Sequence, residues 1–251
     1  MVNIVISQPM YFPWVGMLEQ IKNADVFVNY ADVQFVKGSF FNRVQVKLST
    51  ELKWLTVPLR DVHLGQEICD VQIDEGRAWR EQHLAILKQA YNTAPHKSDM
   101  IKLVEKVFSK STSKLSELAI DSMMELVNYF NIAKSTRFID SRDLSVNASS
   151  SQRVHDLCLG QGATKYITGH GAANYLDHEL FDKSGIEVNY MQYQKIPYPQ
   201  LHGAFTPFVS ALDLVANCGR DGAKLIASGY LNWRDYLKLD AQHVDKAKPI
   251  S

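Results

Sequence analysis

His83 lies four residues after Trp79 and four before Leu87, a spacing that puts all three on one face of a helix. Histidine is the side chain best suited to take a proton near neutral pH, and deprotonating an attacking amine is a step that acyl transfer needs. The competing reading is a structural histidine, hydrogen-bonded and packed on Trp79. Gln8 and Tyr11 flank the loop after the first apolar run, where an amide can orient a carbonyl and a phenol can donate to it. His83, Tyr11 and Gln8 therefore form the expected catalytic set. Gln34, Lys37, Asn42 and Arg43 follow the second strand and form the expected substrate-binding set. Lys37 and Arg43 could hold a diphosphate or a phosphopantetheine phosphate, Arg43 in fork geometry. Gln34 and Asn42 could read a sugar hydroxyl or an amide; a solvated hairpin is the alternative. Gly169 and Gly171 bracket His170 and would let a ligand approach the backbone at a helix start. Asp213 and Asn217 stand one helical turn apart, able to face one site or to tie a helix to a loop.

Other chemistries find little support. Lys plus Arg and Asp plus Glu each number 27 in 251 residues, so the formal charge is zero, whereas a protein that neutralises ~6–10 phosphates should be basic. Nucleic-acid binding is not expected. The three cysteines, Cys69, Cys158 and Cys218, are far apart and form no C-x-x-C pair, which excludes a disulfide framework. Cys158 and Cys218 read as inert thiols rather than nucleophiles. His155, His178, His202 and His243 show no ligand spacing, so no metal is expected. No run approaches the ~18 apolar residues of a membrane span, and no leader is visible, which points to the cytoplasm.

The elements that position these residues read as α/β. Residues 2–6 form a continuous apolar run, and Trp14, Met17, Leu18 and Ile21 recur at helical steps. Residues 25–30 then supply a second strand, completing a βαβ unit. Residues 40–47, 53–58 and 68–73 read as short antiparallel strands. The pattern from 77 to about 130 is helical, with breaks near 93–95 and 111–113, and 137–140 is a further strand. Alternation then resumes: a helix capped by Ser151 running to Gly160, a strand at 165–168, a helix over about 172–181 closed by Gly185, and a strand at 186–193. A last helix over 208–217 ends at Gly219 in the position of a left-handed cap. The expected fold is a Rossmann-like, mostly parallel sheet. It forms a single α/β domain over 1–251, with an antiparallel and helical insertion at about 38–131 and a polar, fraying tail at 240–251.

Several blocks resemble the WbqC-like protein family. They are Ile6-Ser7-Gln8-Pro9, Tyr11-Phe12-Pro13-Trp14 with Gly16, Asp25-Val26-Phe27, and Asp32-Val33-Gln34-Phe35 with Lys37 and Asn42-Arg43. Trp54-Leu55-Thr56-Val57-Pro58, Trp79 with His83, Tyr91 with Ala94-Pro95, Gly162-Ala163 with Tyr166, and Tyr175-Leu176 continue the likeness. It ends with Tyr198-Pro199-Gln200, Phe205, Pro207, Ser210, Asp213 and Asn217. His170 departs from the pattern, which has a proline or small residue there. The resemblance implies a role in bacterial surface-polysaccharide (O-antigen) synthesis, where amino sugars receive acyl or aminoacyl groups. A fainter likeness links Trp14-Val15-Gly16-Met17 to the HxGH segment of adenylyl-transferring enzymes. Trp14 and Met17 replace its two histidines, so that route of nucleotidyl transfer would be lost.

Together these readings predict an N-acyltransferase that acts on the amine of a nucleotide-linked amino sugar. The donor would be a coenzyme A or acyl-carrier-protein thioester, with no tightly bound cofactor. Two alternatives stand beside it: an ATP-dependent ligase or nucleotidyl transferase on a degenerate HxGH-type scaffold, and a non-catalytic partner of a sugar nucleotide or carrier protein.

Overall fold

The computed structural model describes residues 1–246, with side chains described through 239. Strand β1 (Asn3–Ser7), helix α1 (Val15–Lys22) and strand β2 (Val26–Asn29) form the expected parallel unit, in register from Ile4↔Val26 to Ser7↔Asn29. Next come the hairpin β3 (Arg43–Lys47) and β4 (Leu52–Thr56), the two-residue ladder β5 (Leu59–Arg60) and β6 (Gln72–Ile73), and helices α2 (Trp79–Ala90), α3 (Lys97–Phe108) and α4 (Leu115–Phe130). The chain returns to the sheet with β7 (Arg137–Asp140), α5 (Ser150–Gly160), β8 (Lys165–Thr168), α6 (His178–Lys183) and β9 (Glu187–Gln192). Helix α7 (Ala211–Cys218), strand β10 (Gly229–Asn232) and helix α8 (Trp233–Lys246) follow.

The sheet runs β10-β9-β8-β1-β2-β7, and every pair is parallel except β9 with β10. This is a Rossmann-like order in which the winding reverses at β1. Strand alternation sends Val5, Phe27 and Ile167 into a core shared with α1, α7 and the inserted helices. Ile4, Ile6, Val26, Val28 and Tyr166 face the opposite core, against α5 and α6. Burial on both faces explains why these strands read as unbroken apolar runs.

Several boundaries differ from the sequence reading. Residues 68–73 split into a 3-10 turn at Ile68–Asp70 and the short β6. The helix expected over 172–181 is broken into a 3-10 turn, His170–Asn174, and α6. Ser151 causes part of that break. It does not cap α5; its hydroxyl donates to the Tyr175 carbonyl at 3.0 Å and accepts the Asp177 amide at 2.9 Å, pinning the chain between the two turns. Asp177 then caps α6 by accepting the Leu180 amide. Helix α7 starts at Ala211 rather than 208, because Ser210 is its cap. Gly219 has φ +58 with ψ −147, which is not a left-handed helical cap. A Cβ there would lie 2.7 Å from the His96 ring, which is the second reason for glycine. Strand β10 and helix α8 go beyond the sequence reading, although Trp233, Tyr236 and Leu237 recur at helical steps. Helix α8 runs through Lys246, so the tail expected to fray from 240 is helical to that point, and residues 247–251 lie outside the described residues.

The loop between β1 and α1 is held by the inserted helix α4 and by the segment before α7. Phe12 is buried with φ at 39°, a left-handed backbone that costs a non-glycine residue about 1–3 kcal/mol. Its amide donates to Ser122 Oγ on α4 and its carbonyl accepts from Ser210 Oγ before α7, both at 2.8 Å. The Ser210 amide reaches Gln45 of β3, and the Ala211 amide reaches Pro13. At Gly16 a Cβ would stand 2.2 Å from the Trp14 indole, so glycine is what lets that ring fold over α1. Replacing Ser122 by Ala leaves the buried Phe12 amide without an acceptor. It should cost about 1–3 kcal/mol in urea unfolding; an unchanged midpoint would show that the clamp carries no strain.

Candidate functional site

Open parallel sheets bind ligands outside the carboxyl ends of their strands, where the winding reverses. Here that edge carries Ser7 at the end of β1, level with Asn29 at the end of β2, which is level in turn with Asp140 of β7. Continuing the β1–β8 register sets Gly169 beside Ser7 on the other side. Neighbouring strands stand ~4.8 Å apart, so these four residues form a ledge about three spacings wide. Alternation puts Ser7, Asn29 and Asp140 on the face of Val5, Phe27 and Phe138, toward the insertion. Asp140 is bonded to Arg142. By contrast, Ser7, Gln8 and Asn29 make no side-chain hydrogen bond within the described residues, and Asn29 Oδ1 is buried without a partner. A buried, unsatisfied carbonyl costs about 1–3 kcal/mol, which a ligand that donates to it would recover.

Gly169 stays small because a Cβ would lie 3.3 Å from Tyr193 Oη, which accepts from Gln20 Nε2 at 2.7 Å. Gly171 meets nothing within 4 Å, and neither glycine has a positive φ. Gly169 precedes and Gly171 lies within a five-residue 3-10 turn, His170–Asn174, so the expected anion site at a helix start is not formed. Between the two glycines, His170 is exposed and its Nε2 donates to the Met191 carbonyl at 2.7 Å. That bond fixes the tautomer and leaves the lone pair on Nδ1. The ring borders a cavity of about 350 Å³ with Tyr193 and Tyr236.

Tyr11 and His83 do meet, but in the interior. Tyr11 Oη donates to His83 Nδ1 at 3.0 Å, and both side chains are buried. Burial pushes the Tyr11 phenol well above its ordinary value, so it keeps its proton. Burial also lowers His83 from 6.5 to about 4, against the opposing pull of a hydrogen bond with the Thr56 backbone. The ring is neutral, both nitrogens are engaged, and Trp79 packs edge-on at 5.4 Å. The role of base for an incoming amine is thus corrected to a structural one, since no amine can reach a ring 5% exposed. Gln8 is half-buried on the ledge, apart from that pair's hydrogen bonds.

Asp213 is fully buried and serves as a hub. Its carboxylate accepts from Tyr91 Oη at 3.0 Å, Tyr198 Oη at 2.8 Å, Gln200 Nε2 at 2.9 Å and Asn217 Nδ2 at 3.1 Å. Burial raises its pKa despite these bonds. Asn217 also bonds the Asp213 carbonyl, so this pair closes on itself and is no ligand site. Gln200 passes the network to the buried ammonium of Lys47, which also donates to the carbonyls of Gly203 and Ala204. Lys47 was not marked in the sequence. Tyr91, Tyr198 and Gln200 stood out only as resemblance blocks, and the fold shows why they occur together.

Lys37, Asn42 and Arg43 line one cavity of about 530 Å³; Gln34 does not, and is exposed opposite Glu67 in an isolated bridge. Asn42 is buried and its Nδ2 donates to the Val57 carbonyl at 2.9 Å. Glu67, Cys69 and Asp70 bring metal-ligand atoms within 4.8 Å of one another. Burial, then the Asp70 charge, pushes the Cys69 thiol up to about 11, which opposes a thiolate ligand. Cys158 is buried and its thiol is raised by that burial, as an inert cysteine should be. Among the described residues no helix is long and apolar enough to cross a membrane. Sequence reasoning missed Asn29, whose only signal is a polar residue closing an apolar strand, and gave His170 no role.

These features define a doubly wound α/β protein with a polar ledge at its point of strand reversal and a half-helical insertion beside it. The chain belongs to the WbqC-like protein family, which matches residues 8–225. An uncharacterized protein of Mycobacterium tuberculosis (strain ATCC 25618 / H37Rv), Rv1507c, is 32% identical over 224 residues, which cover 88% of this chain and 96% of that one. No solved structure matches.

The buried imidazole has a measurable consequence. In the unfolded chain His83 takes its proton near pH 6.5, but in the folded chain only near 4. Acidification through this window therefore favours unfolding, and the loss is absent above pH 6.5. The wild type should lose about 3 kcal/mol more than His83→Gln between pH 7 and 4. Urea unfolding at the two pH values measures it, and parallel losses would refute a neutral buried ring.

Proposed function

We propose that this protein is a transferase in bacterial surface-polysaccharide synthesis, joining an acyl or aminoacyl group to the amine of a nucleotide-linked amino sugar bound on the sheet's carboxyl edge. One observation carries the reading: Ser7, Gln8 and Asn29 are adjoining neutral polar side chains without hydrogen-bond partners among the described residues. Uncharged donors and acceptors such as these suit sugar hydroxyls and amides. Asn29 Oδ1 can accept from a hydroxyl or amide N–H, while the Gln8 amide can both donate and accept.

The base in this reading is His170 rather than His83. With its Nε2–H committed to Met191, its Nδ1 can take the proton of the attacking amine. The amine nitrogen bonds to the thioester carbon, the carbon–sulfur bond breaks, and the proton passes through Nδ1 to the departing thiolate. A thioester is already activated, so this step requires no ATP.

Incubating the protein with a nucleotide amino sugar and an acyl thioester should yield the N-acylated sugar by mass spectrometry. His170→Ala should lower kcat by ~10²–10⁴. Asn29→Ala should act mainly on KM for the sugar. An unchanged kcat in His170→Ala would refute the base. Product that requires ATP and releases AMP or pyrophosphate would install the ligase instead, and binding without turnover would install the non-catalytic partner.

A further inference from the structure

The cavity in the insertion has an unusual polarity. Its lining combines apolar residues such as Val57, Pro58 and Val62 with the cations Lys37 and Arg43. Among the described residues neither cation forms an ion pair, and Lys37 makes no hydrogen bond. The Arg43 guanidinium stacks 4.2 Å from the Trp54 ring centre and one terminal nitrogen donates to the Gly38 carbonyl. Its Nε, however, is buried with no acceptor, and so is the Ser39 hydroxyl in the same loop. Two cations without carboxylate partners in a largely apolar lining, one of them with a buried Nε that lacks an acceptor, call for an anion with a largely apolar body attached. Asn42 adds a directional feature. One Nδ2 hydrogen goes to the Val57 carbonyl, which orients the amide and leaves its Oδ1 as an acceptor for an amide N–H.

We propose that this cavity binds a phosphorylated pantetheine arm, with the phosphate at Lys37 and Arg43 and the methyl and methylene groups along Val57, Pro58 and Val62. One of the arm's amides meets Asn42. The phosphate-plus-apolar pattern comes from the cavity alone; naming the arm as the carrier of the acyl thioester rests on the transferase reading above. A volume of about 530 Å³ lies within the range of sites that enclose small organic ligands.

The test is calorimetric titration with pantetheine, 4′-phosphopantetheine and coenzyme A, and with an acyl-carrier protein in its apo and holo forms. Phosphopantetheine should bind at least about tenfold more tightly than pantetheine. Lys37→Ala, at an exposed residue that supports no other contact, should erase that difference while leaving pantetheine unaffected. Arg43→Lys, which keeps the charge but loses the fork, should erase part of it. Tighter binding of the holo carrier than of coenzyme A would assign the arm to a protein, and the reverse to the free cofactor. Equal affinity for the phosphorylated and unphosphorylated forms, no binding of either, or an unchanged Lys37→Ala would overturn the site. If phosphopantetheine binds as expected but no acylated sugar forms, the cavity stands and the transferase falls. If transfer proceeds with the same thioester KM in Lys37→Ala, the cavity falls and the transferase stands.

Discussion

The strained backbone of Phe12 is the point on which the two halves of this molecule are joined. A left-handed phenylalanine persists only where its surroundings over-determine it, and here two serine hydroxyls do so, one from α4 and one from the start of α7. Because Ser210 also bonds β3 and caps α7, one residue's conformation is coupled to the sheet edge, the insertion and the C-terminal third. The rings on either side of the strain are committed inward: Phe12 packs on Tyr11 and Phe108, and Tyr11 bonds His83. In many open α/β sheets the loop after the first strand is a free ligand cradle. Here its middle is a plug, and only its first residue, Gln8, stays free at the edge.

Burial sorts the polar residues into two groups. Tyr11, His83, Asp213 and Lys47 lie inside and satisfy one another, because an unpaired polar group in the interior costs more than a hydrogen bond returns. Their network ties residues 198–206 to α2, α7 and β3. Among the described residues Ser7, Gln8, Asn29, Lys37 and the Nε of Arg43 have no such partners. The first three are neutral and sit where strands end; the last two are cationic and sit over an apolar trough. The two groups thus differ in charge and in the polarity of their surroundings.

Periodicity and composition alone conveyed the parallel α/β class, the opening βαβ unit, the insertion after β2 and the strands 137–140 and 165–168, because apolar runs and turn residues are local signals. The breaks that were misplaced depend on distant groups. Ser151 looks like a cap in sequence, yet it bonds Tyr175 and Asp177, and Gly219 answers to His96 rather than to its own helix. Lys37, Asn42 and Arg43 were legible as a set because they are close in sequence and the loop keeps them together. Asn29 was invisible, since a single polar residue at a strand end says nothing until the neighbouring strands show that its carbonyl has no partner.

The sequence by itself thus determined which residues could do chemistry and which family pattern they follow. Only the tertiary structure decided which of them are buried in mutual hydrogen bonds and which are not. Histidine 83 and aspartate 213 carry reactive side chains at suggestive spacings, but whether a group acts or supports depends on desolvation and on what else bonds it. Those are properties of contacts 70 to 150 residues apart, such as Tyr11 with His83 and Lys47 with Gln200, and the chain establishes them only by folding.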